Sequence, residues 1–231
     1  SFHKKDYSDM YKFNKDSTKI ICDGWVVNSC KIIYISSVAA LGNANPTTIN
    51  TSWILNEKTT GYSMSKFAAH CEYFRAVEEG LTGVIVCPSI ILGKCNPQTS
   101  TGTLFETVRK GLPFYPPGSN GFVYVGDVVD VCMELYFKEE FNEPYLLNGF
   151  HSSWRKLFSS IANKLNVKAP QKELSKSFLL GFYYFEQLKK LFSLTPRITK
   201  ESLYKSFENH SYESNYNFDY RSCEELVELS L

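Results

Sequence analysis

The feature that most constrains the fold is a pair of short apolar runs bracketing one long helical stretch. Lys31-Ile-Ile-Tyr-Ile-Ser36 and Gly83-Val-Ile-Val-Cys-Pro88 are rich in β-branched residues and lack the polar alternation of a half-exposed strand. Each reads as a strand buried on both faces, as in a parallel sheet. Between them the spacing predicts a helix from about Ser65 to Glu79. Phe67, Cys71, Phe74 and Glu78 follow one stripe with Ala68 and Val77 beside it, and Gly80 sits where a terminating glycine belongs. Strand, helix, strand is a βαβ unit, which implies a right-handed crossover and an α/β fold.

Composition narrows the class. The 231 residues are 43% hydrophobic and 21% charged, and Lys+Arg 25 against Asp+Glu 24 leaves a net charge of +1. That balance provides no basic footprint for nucleic acid. The longest nearly unbroken apolar run, Phe178 to Phe185, is far short of the roughly 20 residues that span a bilayer. Ser1 to Asp9 is polar and reads as no secretory leader. The seven cysteines form no C-x-x-C pair, so unpaired thiols in a reducing, cytoplasmic setting are expected. The four histidines lie far apart and show no metal-ligand spacing.

Further along, residues 94 to 121 carry Pro97, Pro113, Pro116 and Pro117 and read mostly as loop around a short helix near Leu104 to Lys110. Phe122 to Val125 reads as a strand, Asp127 as the N-cap of a helix over 128–137, and Tyr145 to Leu147 as a last short strand. From Ser152 the pattern is helical, with Trp154, Leu157, Phe158, Ile161, Ala162 and Leu165 on one face. Further helices are expected over 174–192 and 199–208, and a short one between Asp219 and Leu229.

The chemistry centres on Tyr62-Ser-Met-Ser-Lys66. At helical spacing, positions i and i+4 share a face. An ammonium beside a phenol favours the phenolate, which turns tyrosine into a usable general acid and base. The spacing alone means little, because Tyr11 and Lys15 repeat it on what reads as a solvated helix face. Context separates the two. The first strand ends in Ser36-Ser37 and the second in Pro88-Ser89, and open α/β sheets place ligands at the carboxyl ends of their strands. Tyr62 and Lys66 begin the helix between them.

With these residues the chain resembles the extended short-chain dehydrogenases/reductases, the NAD-dependent epimerase/dehydratase family that includes dihydroflavonol 4-reductases. The segments that carry the resemblance are Ile33 to Gly42, Gly61 to Ala69, Glu79 to Gly93 and Gly121 to Val129, followed by Leu194-Thr-Pro-Arg-Ile-Thr199. They stand in the family order and cover nearly the whole chain. The fold implied is a Rossmann-like, doubly wound parallel sheet with a smaller, mainly helical substrate domain. Residues 1–93 and 121–150 would form the remainder of the dinucleotide-binding domain, and 94–120 with 151–231 the substrate cap.

The resemblance also implies roles. Ser37 would hydrogen-bond the substrate oxygen, Tyr62 would pass the proton, and Lys66 would lower the Tyr62 pKa and bind the nicotinamide ribose. Asn14 matches the asparagine of the helix before the serine strand. Ser36, Pro88, Ser89 and Ile91 would line the nicotinamide, with core packing the plainer role for Ile91. The cofactor would be NAD or NADP, and the partner a small-molecule carbonyl or alcohol. A homodimer is allowed. Cys87, Gly126 and His70 depart from the family's usual residues, which bears on substrate and packing more than on reaction type. No G-x-G-x-x-G occurs in the sequence. In the family that loop precedes the region matched by Ser1, so the sequence corresponds to the part that follows it, and the residues that choose NAD over NADP fall there too.

Three functions are consistent with these residues. The first is reduction of a ketone or aldehyde, or oxidation of the alcohol, favoured because only Arg109 and Lys110 cluster as cations in 94–121. The second is a nucleotide-sugar epimerase or dehydratase on the same fold. The third is an inert fragment or binding protein.

Overall fold

The computed structural model describes residues 4–28, 30–41, 61–96, 101–139, 141, 144–175, 177–178, 181 and 206–231. They fall into two compact units. The first comprises Ser1–Ser89, Val125–Asn148 and Tyr212–Tyr220, and the second Ile90–Tyr124, Gly149–Ser211 and Arg221–Leu231. These bounds differ from the expected domains most at 212–220, which belongs to the first unit.

In the first unit, helix α1 (Lys4–Val27) leads into strand β1 (Lys31–Ile35) and a 3-10 turn (Val38–Leu41). Helix α2 (Gly61–Glu78) then returns to strand β2 (Thr82–Pro88). β1 and β2 pair in parallel with Ile33 opposite Val84, and strand β6 (Tyr145–Leu147) adds to the far side of β2, giving the order β1-β2-β6. The expected βαβ unit is therefore present. β2 is buried on both faces, since Val84, Ile85, Val86 and Cys87 are all inaccessible. β1 is not. It has β2 as its single partner among the described residues, and Ile35 is 50% exposed. A strand at a sheet edge is covered on fewer sides than a central one, whatever its apolar content.

α2 begins at Gly61, four residues before the expected start, so Tyr62 lies inside its first turn. Its buried stripe is Ser65, Ala69, Tyr73 and Ala76, whereas Cys71 is exposed. The small residues on that stripe let α1 and the sheet approach α2 from two directions. Gly80, at φ 103°, ends the helix: its N–H donates to the Val77 carbonyl (2.9 Å) and Leu81 N–H to that of Ala76 (2.8 Å). This is the αL termination that favours glycine. Leu81 then buries its side chain in a core with Cys22, Val38, Leu41, Tyr73, Ala76, Ile85, Cys87 and Leu146. At the far end of the helix pair, Arg75 of α2 is bonded to Glu72, Glu79 and Asp23 of α1.

Helix α4 (Val125–Lys138) also belongs to this unit. It starts before the expected N-cap, so Asp127 sits fully buried in its first turn rather than capping it. The segment 212–220 lies along β6: Leu146 N–H donates to Asn215 Oδ1 (2.7 Å), Asn215 N–H to the Leu146 carbonyl (3.3 Å), and Ser214 Oγ to the same carbonyl (2.9 Å). The β6 edge is thus satisfied by a side chain and an irregular strap instead of a strand.

In the second unit, strands β3 (Ile90–Leu92), β5 (Ser119–Tyr124) and β7 (Phe150–Ser153) form a sheet of that order, β3 parallel and β7 antiparallel to β5. Strand β4 (Phe114–Tyr115) pairs with β8 (Lys172–Glu173). Helices α3 (Gly102–Arg109), α5 (Trp154–Lys164) and α6 (Cys223–Ser230) complete it. Ser153 caps α5 by accepting from Lys156 N–H, and Ser222 with Glu225 forms a capping box at α6. The core gathers Leu92, Phe105, Phe122, Leu157, Ile161 and Leu226. The helices expected over 174–192 and 199–208 lie almost wholly outside the described residues.

Gly118 is pinned here by main-chain bonds to Ser206 and Trp154. A Cβ at this position would stand 2.4 Å from the Glu208 carbonyl oxygen and 2.5 Å from that of Ser206. Both obstacles are backbone, so Gly118→Ala is expected to lower stability by about 2 kcal/mol or more, read as a shift of the denaturant midpoint. An unchanged midpoint would show that the 206–210 segment yields freely.

Candidate active site

Of the predicted site residues, Ser36 and Ser37 follow β1, Pro88 and Ser89 close β2, Tyr62 and Lys66 stand on α2, Asn14 on α1 and Ile91 on β3. Past β1, Ser36 extends the ladder by donating its N–H to the Val86 carbonyl (2.7 Å). Its side chain is 7% exposed. Ser37 follows and opens the 3-10 turn: Oγ accepts from Ala39 N–H (3.2 Å) and its carbonyl from Ala40 N–H (2.9 Å). The hydroxyl is thereby oriented by the turn, with its own proton still to donate. The turn packs against α2.

On α2, Tyr62 and Lys66 lie one turn apart, and Lys66 Nζ is 5.9 Å from the centre of the Tyr62 ring. Lys66 is half-buried, and loss of hydration pulls its pKa below the ordinary lysine value of 10.5. Asn14 reaches this turn from α1. Its Nδ2 donates to Ser65 Oγ (2.9 Å), and Ser65 Oγ donates to the Tyr62 carbonyl (2.8 Å). Asn14 thus fixes the helical turn that carries Tyr62.

One turn further, His70 is 3% exposed, with Nε2 3.6 Å from Cys87 Sγ on β2. Tyr34 and Phe74 present their rings edge-on to it. Burial, helped by the Lys66 charge, lowers the His70 pKa to about 4, and burial pushes the Cys87 thiol up to about 12. Both are neutral at pH 7, so Lys66 is the charged member of the Tyr62–Lys66–His70 column. Sequence reasoning set His70 and Cys87 aside. No pattern in the sequence pairs positions 70 and 87, which only the crossover brings together.

Pro88 closes β2, buried. Ser89 donates its N–H to the Leu147 carbonyl (2.9 Å) while its Oγ is buried without a partner. Ile91 falls in the second unit, half-buried in β3 opposite Val123. Tyr11, the rival tyrosine, is exposed on α1. Among the described residues no group of three His, Cys, Asp or Glu could hold a metal ion, the seven cysteines are unpaired, and no helix is long and apolar enough to cross a membrane.

A parallel β1-β2-β6 sheet with a helical crossover between β1 and β2 is a Rossmann-like α/β fold. Solved structures share it. The protein gox2253 matches with a TM-score of 0.75 and 25% identity, over 97% of this chain and 72% of that one. A nucleoside-diphosphate-sugar epimerase from Pseudomonas aeruginosa matches at 0.64 and 16%, over 94% and 72%. The enzyme WbmH of Bordetella bronchiseptica, solved with NAD+, matches at 0.65 and 14%, over 100% and 71%. No protein-family model and no curated protein sequence matches the chain.

Proposed function

We propose that the chain carries the catalytic side of an NAD(P)-dependent oxidoreductase that interconverts a small-molecule carbonyl and its alcohol. The observation that carries this reading is the half-buried Lys66 ammonium one helical turn from Tyr62, 5.9 Å from its ring centre. A cation in a poorly hydrated setting stabilises the phenolate, so Tyr62 can give its proton to a carbonyl oxygen and recover it from an alcohol. Ser37, oriented by its turn, would hold that oxygen, and Asn14 through Ser65 would keep the Tyr62 turn in place. The buried, unpaired Ser89 oxygen after β2, with Ser36 after β1, suits a polar ring substituent, so these strand ends fit the nicotinamide end of NAD or NADP. When bound, that group supplies or accepts the hydride.

A second reading, a nucleotide-sugar epimerase or dehydratase, is favoured by the name of the Pseudomonas aeruginosa match. Against it stands the one cation cluster of residues 94–121. Arg109 and Lys110 are both paired to Glu106, at 3.4 and 3.2 Å. That leaves their charge partly neutralised before a diphosphate arrives.

The experiment is to offer the protein NADH and NADPH with a panel of aldehydes and ketones, and separately NAD+ with nucleotide-diphosphate sugars. Loss of the reduced-nicotinamide absorbance with carbonyl compounds supports the first reading. Sugar conversion without net cofactor turnover supports the second. Failure to bind either dinucleotide overturns both.

A further inference from the structure

Ser37 and Tyr62 stand on different elements, so proton transfer between them and one substrate oxygen needs the end of β1 and the start of α2 held at a fixed spacing. The β1–β2 ladder carries as far as the Ser36 N–H bond to the Val86 carbonyl (2.7 Å). Tyr34, two residues before Ser36 and on the same face of the strand, touches both helices. Its ring lies flat against Tyr73 of α2 (5.5 Å between centres, 18°) and edge-on to His70 (6.3 Å, 64°). Its hydroxyl shares hydrogen bonds with Thr18 of α1 and with Ser36, both buried.

The protons in this chain have one direction. Thr18 Oγ1 donates to the Asn14 carbonyl (2.8 Å), which can only accept. A hydroxyl has a single proton, so Thr18 accepts from Tyr34. Burial raises the Tyr34 pKa above its ordinary 10.0, so at pH 7 the phenol keeps its proton and spends it on Thr18. Tyr34 therefore accepts from Ser36. Asn14 carries the link on through its side chain: Nδ2 donates to Ser65 Oγ (2.9 Å), and Ser65 Oγ to the Tyr62 carbonyl (2.8 Å). One polar chain thus runs from Ser36 through Tyr34, Thr18, Asn14 and Ser65 to the turn that carries Tyr62. Polar groups linked inside a protein fix one another's orientation more firmly than isolated ones.

We propose that Tyr34 is a positioning residue, which couples the strand end at Ser36-Ser37 to the α2 turn of Tyr62 through Thr18 and Asn14. The ring sets the spacing of β1 from α2, and the hydroxyl ties the strand end to α1. The inference rests on the NAD(P) reading, in which Ser37 and Tyr62 must meet at one oxygen.

Two variants cut the chain at successive links. Tyr34→Phe removes one oxygen and keeps both ring contacts; Thr18→Val removes the next hydroxyl and nearly keeps the shape. Amide hydrogen exchange reads the link without a ligand. Ala39 and Ala40, whose N–H groups bond Ser37, should exchange about fivefold faster in either variant, the worth of one net hydrogen bond. The Val84, Ile85 and Val86 amides of β2 should keep their rates, whereas a general loss of stability would quicken them too. The double variant should exchange no faster than either single one, because both break the same chain. With the best carbonyl of the panel, kcat should fall about fivefold in each variant and no further in the double, at unchanged dinucleotide affinity. Unchanged exchange at Ala39 and Ala40, additive effects in the double variant, acceleration that spreads to β2, or an unchanged kcat overturns this inference and leaves the NAD(P) reading standing. No dinucleotide binding by the unaltered protein overturns both.

Discussion

Tyr62→Phe is expected to reduce turnover about 100- to 10,000-fold, the usual contribution of a positioned general acid, with dinucleotide affinity unchanged. The substitution removes one oxygen and keeps the ring against which Lys66 Nζ lies. The helical turn also survives, because Ser65 bonds the Tyr62 carbonyl and not its side chain. A fall in kcat without a fall in affinity therefore isolates proton transfer. The pH profile gives a second check. Burial holds Lys66 below the ordinary lysine value of 10.5, so the ammonium is lost earlier than a surface lysine would lose it. Support for the phenolate goes with it, and the alkaline limb of kcat should begin to fall below pH 10.5. Steady-state kinetics with the best carbonyl from the panel measures both. Turnover preserved in Tyr62→Phe would refute the assignment of the proton to this residue.

The parts of the molecule legible from sequence are those fixed by local pattern. β2 reads correctly because four consecutive apolar residues at the centre of a sheet have no solvent side, and Gly80 because an αL helix end needs glycine. The Tyr62–Lys66 column is local as well, being one turn of one helix. Burial of β1 could not be read the same way. Lys31 to Ile35 is as apolar as β2, but among the described residues only β2 pairs with it, and pairing is decided by residues distant in sequence. Segment 212–220 shows no periodicity at all. It joins the first unit through Asn215 and Ser214, which bond the β6 backbone individually.

His70 should make the protein's stability depend on pH in a window where few other groups titrate. Its folded pKa is about 4, below the ordinary 6.5, because burial opposes the imidazolium and Lys66 repels it. As pH falls through 6.5 the unfolded chain takes up this proton and the folded chain does not, so the equilibrium moves toward unfolding until pH nears 4. The contribution is fully present above pH 6.5 and lost on acidification. A difference of this size corresponds to about 3 kcal/mol. Asp23, Glu134, Glu139 and Glu225 also have lowered pKa values, but each starts from an ordinary carboxyl value and loses its contribution as pH falls through its own lowered one. His70→Gln keeps a neutral polar side chain beside Cys87 and has no proton to gain. Urea unfolding of the two proteins at pH 7 and pH 4.5 should show the unaltered chain losing more stability than the variant. Equal losses would mean that His70 is solvated and charged in the folded protein, and that Lys66 is not the lone charge of the column.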